Sequence, residues 1–167
     1  MKRKIILAVA ILFLSGFALV SMLRGSSQYY EKYEDYKYGF IPYYSTIEKK
    51  PTDGDKAMAQ SVINLAHEIM TDTANEIPPN ADKLETYAIK YSITEKEISR
   101  VEADMNFITA DFTFSNGYIW LEYTKTAYDE MGGVIEDGAW LAYWKLKKEN
   151  GIWKVTRIKE AKIDSAV

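Results

Sequence analysis

The alternation of apolar and polar residues changes period twice along this chain, and each change marks an element. Residues 5–23 carry no charge, and their only hydroxyl side chains are Ser15 and Ser21. A surface helix of a globular core shows a polar stripe, and this run has none. At about 1.5 Å per residue it spans about 28 Å, close to the roughly 30 Å hydrocarbon core of a bilayer. The pattern predicts a transmembrane helix over residues 1–24, with Lys2, Arg3 and Lys4 holding the N-terminus in the cytoplasm. Gly16-Phe17-Ala18 offers a small-residue cleavage site, but Leu19, Val20, Met22 and Leu23 prolong the apolar run beyond it. A retained anchor is therefore preferred to a removable signal. The domain that follows is expected outside the cytoplasm, tethered by a single span, or secreted if the segment is cleaved.

Helical spacing dominates next. Seven of the thirteen tyrosines crowd between Tyr29 and Tyr44. Tyr29, Tyr33, Tyr36 and Phe40 fall on one helical face, with Glu31, Lys32, Glu34, Asp35 and Lys37 on the rest. Pro42 ends any such helix. Three readings stand for this stripe: packing on the chain's own domain, a belt in the headgroup zone, or a contact strip for another membrane protein. A polar connector with Pro51 and Gly54 leads to a helix over about 56–73, capped by Asp53 or Asp55. Met58, Val62, Leu65 and Ile69 form its buried stripe, and His67, the single histidine, falls nearly opposite as a surface residue. After Pro78-Pro79, a shorter helix over about 81–91 presents Leu84, Tyr87, Ala88 and Tyr91, and Thr94 with Glu97 can box one further turn.

Beyond Ile98 the period becomes 2. Ile108, Ala110, Phe112 and Phe114 alternate with Thr109, Asp111 and Thr113. Asn116-Gly117 reads as a two-residue hairpin turn into a strand over about 118–128. Gly132-Gly133 and Asp137-Gly138 bracket a wider loop, and Asn150-Gly151 turns between strands over about 139–148 and 152–158. Residues 98–105 offer a further strand. Two or three helices followed by a meander of four or five antiparallel strands predict an α+β fold.

Composition narrows the functional classes. Cysteine is absent, so neither a disulfide nor a lipidated N-terminal cysteine is available. The first 24 residues hold four of the 21 bases and none of the 24 acids, so the remainder carries 17 against 24, a formal −7. An acidic domain without a basic run is a poor nucleic-acid binder and a poor candidate for lying flat on anionic lipid. One histidine and no cysteine leave no metal-ligand cluster and no nucleophile–histidine set. Gly132-Gly133 is far from a phosphate-binding fingerprint.

The ending GAWLAYWKLKKENGIWKVTRIKEA, residues 138–161, joins a tryptophan-bearing strand, an Asn-Gly turn and a WKV strand. It resembles the last hairpin of the nuclear transport factor 2-like (cystatin-like) superfamily, and the resemblance covers residues 53–161. It implies a curved, cone-like sheet closed around the first helix, with a pocket at the open end. It implies no reaction, because that fold hosts enzymes, binding modules and assembly domains. The organisation expected is an anchor over 1–24, a Tyr-rich juxtamembrane segment and linker over 25–52, the domain over 53–161 and a tail over 162–167.

Candidate sites follow. An isomerase-like centre in such a cone needs a carboxylate base and a tyrosine or neutral acid as oxyanion donor. Asp104, Asp111, Glu122 and Asp129 are the carboxylates on strands, and none stands in a matching motif. No catalytic residue, metal or cofactor is assigned. Trp120, Trp140 and Trp144 line the cone, either as core or as an apolar ligand pocket. Leu121, Tyr123, Leu141 and Tyr143 are expected together on the opposite face, where a protein partner or a second copy could cover them. With Tyr29, Tyr33 and Tyr36 they form the candidate interaction surface. The reading is a non-enzymatic accessory domain of the cell envelope working through protein contacts; the alternative is small-molecule or peptide binding in the cone.

Overall fold

A computed structural model describes residues 28–73 and 98–163. The anchor, the helix over 81–91 and the Thr94–Glu97 box lie outside the described residues. The chain divides into two compact units, residues 1–34 and 35–167. In the first, helix α1 (Gln28–Tyr33) places Tyr29 and Tyr33 one turn apart, with their rings stacked at 6.4 Å. A 3₁₀ stretch, Glu34–Phe40, follows in sequence and lies in the second unit from Asp35 on, so only the first part of the expected stripe is α-helical, and helical structure stops before Pro42.

The second unit holds a second 3₁₀ turn (Tyr44–Thr46), helix α2 (Asp53–Thr71) and four strands: β1 (Arg100–Phe112), β2 (Asn116–Tyr128), β3 (Val134–Glu149) and β4 (Ile152–Ile163). The strands form one antiparallel sheet in the order β1-β2-β3-β4. The α+β class is therefore as expected, with four strands. The two short strands expected before Asn116 are one, and β3 starts five residues early, consuming most of the predicted wide loop. β4 runs to Ile163, into the expected tail.

Helix α2 starts through a capping box. Thr52, not Asp53 or Asp55, is the N-cap; its hydroxyl accepts from Asp55 N at 3.1 Å, while Asp55 Oδ2 accepts from Thr52 N at 2.9 Å. The buried stripe is Ala59, Val62, Ile63, Ala66, Ile69 and Met70. It is rotated from the predicted one because Ala59 and Ala66 let the helix backbone approach the sheet closely, leaving the longer Met58 and Leu65 half-buried at its margin. The rotation also brings His67 to the margin, where Nε2 donates to the Ala103 carbonyl of β1 at 3.1 Å. The histidine is thus half-buried rather than a solvated residue of the far face.

The register gives the sheet two apolar faces. Ile119 pairs with Trp144, Leu121 with Ala142 and Tyr123 with Trp140; this face receives α2, and with Val101, Ala110, Ala127, Leu146 and Val155 it makes the main core. Trp120 pairs with Tyr143 and Glu122 with Leu141 on the other face. A bulge at Ile108 in β1 shifts the alternation there, so Val101, Ala103, Met105 and Phe107 precede it on the helix side and Ala110 and Phe112 follow it.

Candidate functional site

The second face of the sheet, expected to await a partner, is covered by the chain itself. Residues 35–50 run across it as a strap. The Phe40 ring lies 4.9 Å from that of Trp120, and Tyr43 stacks on Tyr143 at 4.3 Å with the planes 10° apart. Trp120 Nε1 donates to Thr46 Oγ1 at 2.8 Å, and the Thr109 hydroxyl donates to the Lys49 carbonyl. Arg157, on β4, donates to the Tyr43 hydroxyl at 2.8 Å, and Lys49 pairs with Asp111 at 2.5 Å. Phe40, Tyr44 and Ile47 of the strap are buried. A sheet apolar on both faces must be covered on both faces; here α2 takes one and the strap the other. Residues 35–50 are therefore part of the sheet-bearing unit, not linker.

The covering changes the chemistry of the tyrosines beneath. Burial pushes the Tyr143 hydroxyl up to about 12, and the neighbouring Tyr43 and Tyr118 add to this while Arg157 opposes it. Burial, together with the Asp111 carboxylate, raises Tyr118 to about 12 as well. These phenols stay protonated near neutrality, as hydrogen-bonding groups rather than bases.

The tentative sets from the sequence exchange members. Trp140 and Trp144 share the helix face, but Trp120 lies on the strapped face, so the three do not line one cavity. Leu121 and Tyr123 belong to the helix-side core, away from Leu141 and Tyr143. All four are buried within the chain, so they form no open interaction surface. A homodimer through the strapped face would require the strap to leave. Of the tyrosine stripe, Tyr33 is buried and Tyr29 and Tyr36 are half-buried.

Asp129, Asp111 and Asp104 are occupied with structural contacts. Asp129 Oδ1 accepts from the backbone N–H groups of Met131 and Gly133 at 2.8 and 2.7 Å and folds the β2–β3 loop. Asp104 accepts from the Asn106 amide at 3.2 Å on an exposed strand edge, and Glu122 is half-buried. Among the described residues, no three His, Cys, Asp or Glu side chains group as metal ligands, and no helix is long and apolar enough to cross a membrane.

One feature went unread in the sequence. Beside the strap, three consecutive rungs of the β3–β4 hairpin present cations on the strapped face: Lys147 opposite Lys154, Lys145 opposite Arg157, and Lys159 opposite Tyr143. A bulge at Thr156 keeps Lys154 and Arg157 on the same side. Asn116, Lys145, Leu146, Lys147, Thr156 and Arg157 line an open depression of about 250 Å³. The signal was the period-2 placement of basic residues in two neighbouring strands. It passes unnoticed when only contiguous basic runs are sought. No protein-family model matches the chain, and no curated protein matches it.

Proposed function

We propose that this protein is a membrane-tethered, extracytoplasmic accessory domain of the cell envelope, non-enzymatic, that works by surface contact with other proteins. On this reading residues 1–24 are its single span, and its sheet is the curved sheet of the nuclear transport factor 2-like superfamily. The observation that carries it is the occupancy of both sheet faces. Trp120 and Trp144, the aromatic residues best suited to line a ligand pocket, are fully buried on opposite sides, one under the strap and one in the helix-side core. Of the carboxylates suited to acid–base work, Asp129 folds a loop, Asp111 binds Lys49 and Asp104 accepts from Asn106. What the domain offers outward is a charged surface with apolar side chains at the β1–β2 turn (Phe114), on the strap (Tyr38 and Ile41) and at the β2–β3 end, where Met131 is 96% and Val134 60% exposed.

The test is photocrosslinking in native membranes from a crosslinking amino acid placed at Met131. Discrete adducts to envelope proteins, identified by mass spectrometry, are expected. Absence of any protein adduct, combined with stabilisation of the chain by a small-molecule extract, would overturn the reading in favour of a ligand-binding cone.

A further inference from the structure

We infer that the cationic face of the β3–β4 hairpin, together with the strap beside it, docks on the surface of the anionic bilayer in which the chain is anchored. The inference rests on the tethered reading above and adds to it the partner and orientation of one face.

Four observations carry it. The first is charge. Lys145, Lys147, Lys154, Arg157 and Lys159 occupy three adjacent rungs of one sheet face, although the chain beyond residue 24 has a formal −7. The carboxylates beside these rungs are few, because Glu102, Asp104, Glu122 and Asp137, which share the face, lie further along β1, β2 and β3. Glu149 lies 3.4 Å from Lys147 and 4.0 Å from Lys154, Asp111 is held by Lys49, and Glu48 sits on the strap. Lys145 and Lys159 have no carboxylate partner among the described residues. The second is form. The depression over Asn116, Lys145, Lys147, Thr156 and Arg157 is open and shallow, suited to headgroup phosphates arriving from a plane. The third is apolar content. The strap over the same face exposes Tyr38 (81%) and Ile41 (62%). Exposed apolar side chains beside lysines and arginine are the make-up of a membrane-interface surface, with tyrosine favouring the headgroup zone. A soluble polyanion would need only the cations. The fourth is reach. Ten residues separate Arg24 from Asp35, the first residue of the unit bearing the strap. Such a connection extends at most about 40 Å, short enough to leave the face within reach of the bilayer on the tethered reading.

The chemistry recognised is the phosphodiester of an anionic phospholipid. Each cation near the surface adds a favourable term that fades within a Debye length, about 8 Å at physiological ionic strength.

Because the chain has no cysteine, Thr156→Cys gives a single labelling site within the patch. The full chain, labelled there with a polarity-sensitive dye, is reconstituted into nanodiscs of phosphatidylcholine alone or with one part phosphatidylglycerol to two parts phosphatidylcholine. In the anionic discs, quenching by neutral acrylamide should fall about two-fold or more and emission should shift to the blue, and added salt should reverse both. Lys145→Glu/Lys159→Glu, shown by circular dichroism to keep its fold, should abolish the difference between discs. Equal quenching in both discs, or protection that survives salt and charge reversal, overturns the inference while leaving the tether intact. Protection in neutral discs by soluble polyphosphate equal to that given by anionic lipid also overturns it, in favour of a free polyanion. Failure of the chain to co-elute with either disc sinks the tether, and this docking with it.

Discussion

Replacing Phe40 by alanine tests whether the strap is part of the fold or merely rests on it. Phe40 is fully buried, with its ring 4.9 Å from Trp120 and tilted 56° to it. Removing a buried phenylalanine side chain forfeits about 1.5–3 kcal/mol of transfer free energy, and the aromatic pair adds about 0.5–1.5 kcal/mol. A partly relaxed cavity brings the total into the range of about 3–5 kcal/mol. The chain can respond by keeping the cavity or by releasing the strap. Release would also expose Tyr44 and Ile47, unstack Tyr43 from Tyr143 and leave Trp120 Nε1 without Thr46. At about 1.5–3 kcal/mol per buried side chain this costs more than the cavity, so the strap stays. Urea unfolding of the full chain in detergent, followed by circular dichroism, should show a lower midpoint with an unchanged slope. The amides of Thr46 and Ile47, which donate to the Tyr43 and Tyr44 carbonyls, should remain protected from exchange. A loss below about 1 kcal/mol, or free exchange of those amides while the sheet keeps its protection, refutes the view of the strap as structural.

Three further outcomes follow from single groups. Asp55 is buried, which works against its charge, but hydrogen bonds from Thr52 and from Phe112 N and the nearby Lys49 outweigh this and hold the carboxyl below its ordinary value of 3.8. Its contribution is present above that value and disappears as pH falls through the folded value; Asp55→Asn should flatten the acid limb of a stability–pH curve, and Asp55→Ala should cost about 2–4 kcal/mol in urea unfolding. Tyr118 and Tyr143 sit near 12 when folded, against an ordinary value of 10, so their stabilisation holds below pH 10 and is lost as pH rises towards 12; phenolate absorbance should show both titrating after the exposed tyrosines, and Tyr143→Phe should remove one late step. Gly151 turns with φ +83°, so Gly151→Ala should cost about 1 kcal/mol by thermal unfolding without changing the circular dichroism spectrum.

The β3–β4 hairpin was legible because Asn150 and Gly151 both take positive φ, 52° and 83°, as a tight turn between right-twisted strands requires. The same dipeptide at 116–117 misled. The turn there falls on Phe114-Ser115, closed by Thr113 N–H donating to the Asn116 carbonyl, and Asn116 already opens β2. Gly117 serves a different need: a Cβ on it would lie 2.5 Å from Phe112 Cδ1. The exchange between Trp120 and Leu121 has a general cause. A one-residue slip in register moves every side chain to the other face, and a polar face normally reveals the phase. In β2 and β3 both faces are apolar, so that marker is missing. What supplies the second cover, the strap, was visible as a tyrosine stripe, but its contact with a sheet 60 residues or more later leaves no local signature.

Charge is distributed along the strands as unevenly as apolar surface is across them. The β2–β3 end carries Asp129, Glu130, Glu136 and Asp137; Lys125, paired with Glu136 at 2.5 Å, offsets part of this. The cationic rungs begin at Lys159 opposite Tyr143, six residues beyond Asp137 along β3 and so roughly 20 Å away at strand rise. On the proposed docking, a domain with this separation turns in the field of an anionic surface: the basic rungs are drawn inward and the acidic end is driven outward. A tether alone restricts the domain to a volume, whereas a tether with a charged face also restricts its orientation. Under that constraint the exposed Met131 and Val134 point away from the bilayer, and a protein that meets them encounters an already oriented tip. Part of the rotational freedom that association would otherwise cost has then been removed before the encounter. On the proposed docking, an acidic domain can therefore keep a basic face of only five side chains and still be held in one working posture, provided that face lies beside the strap.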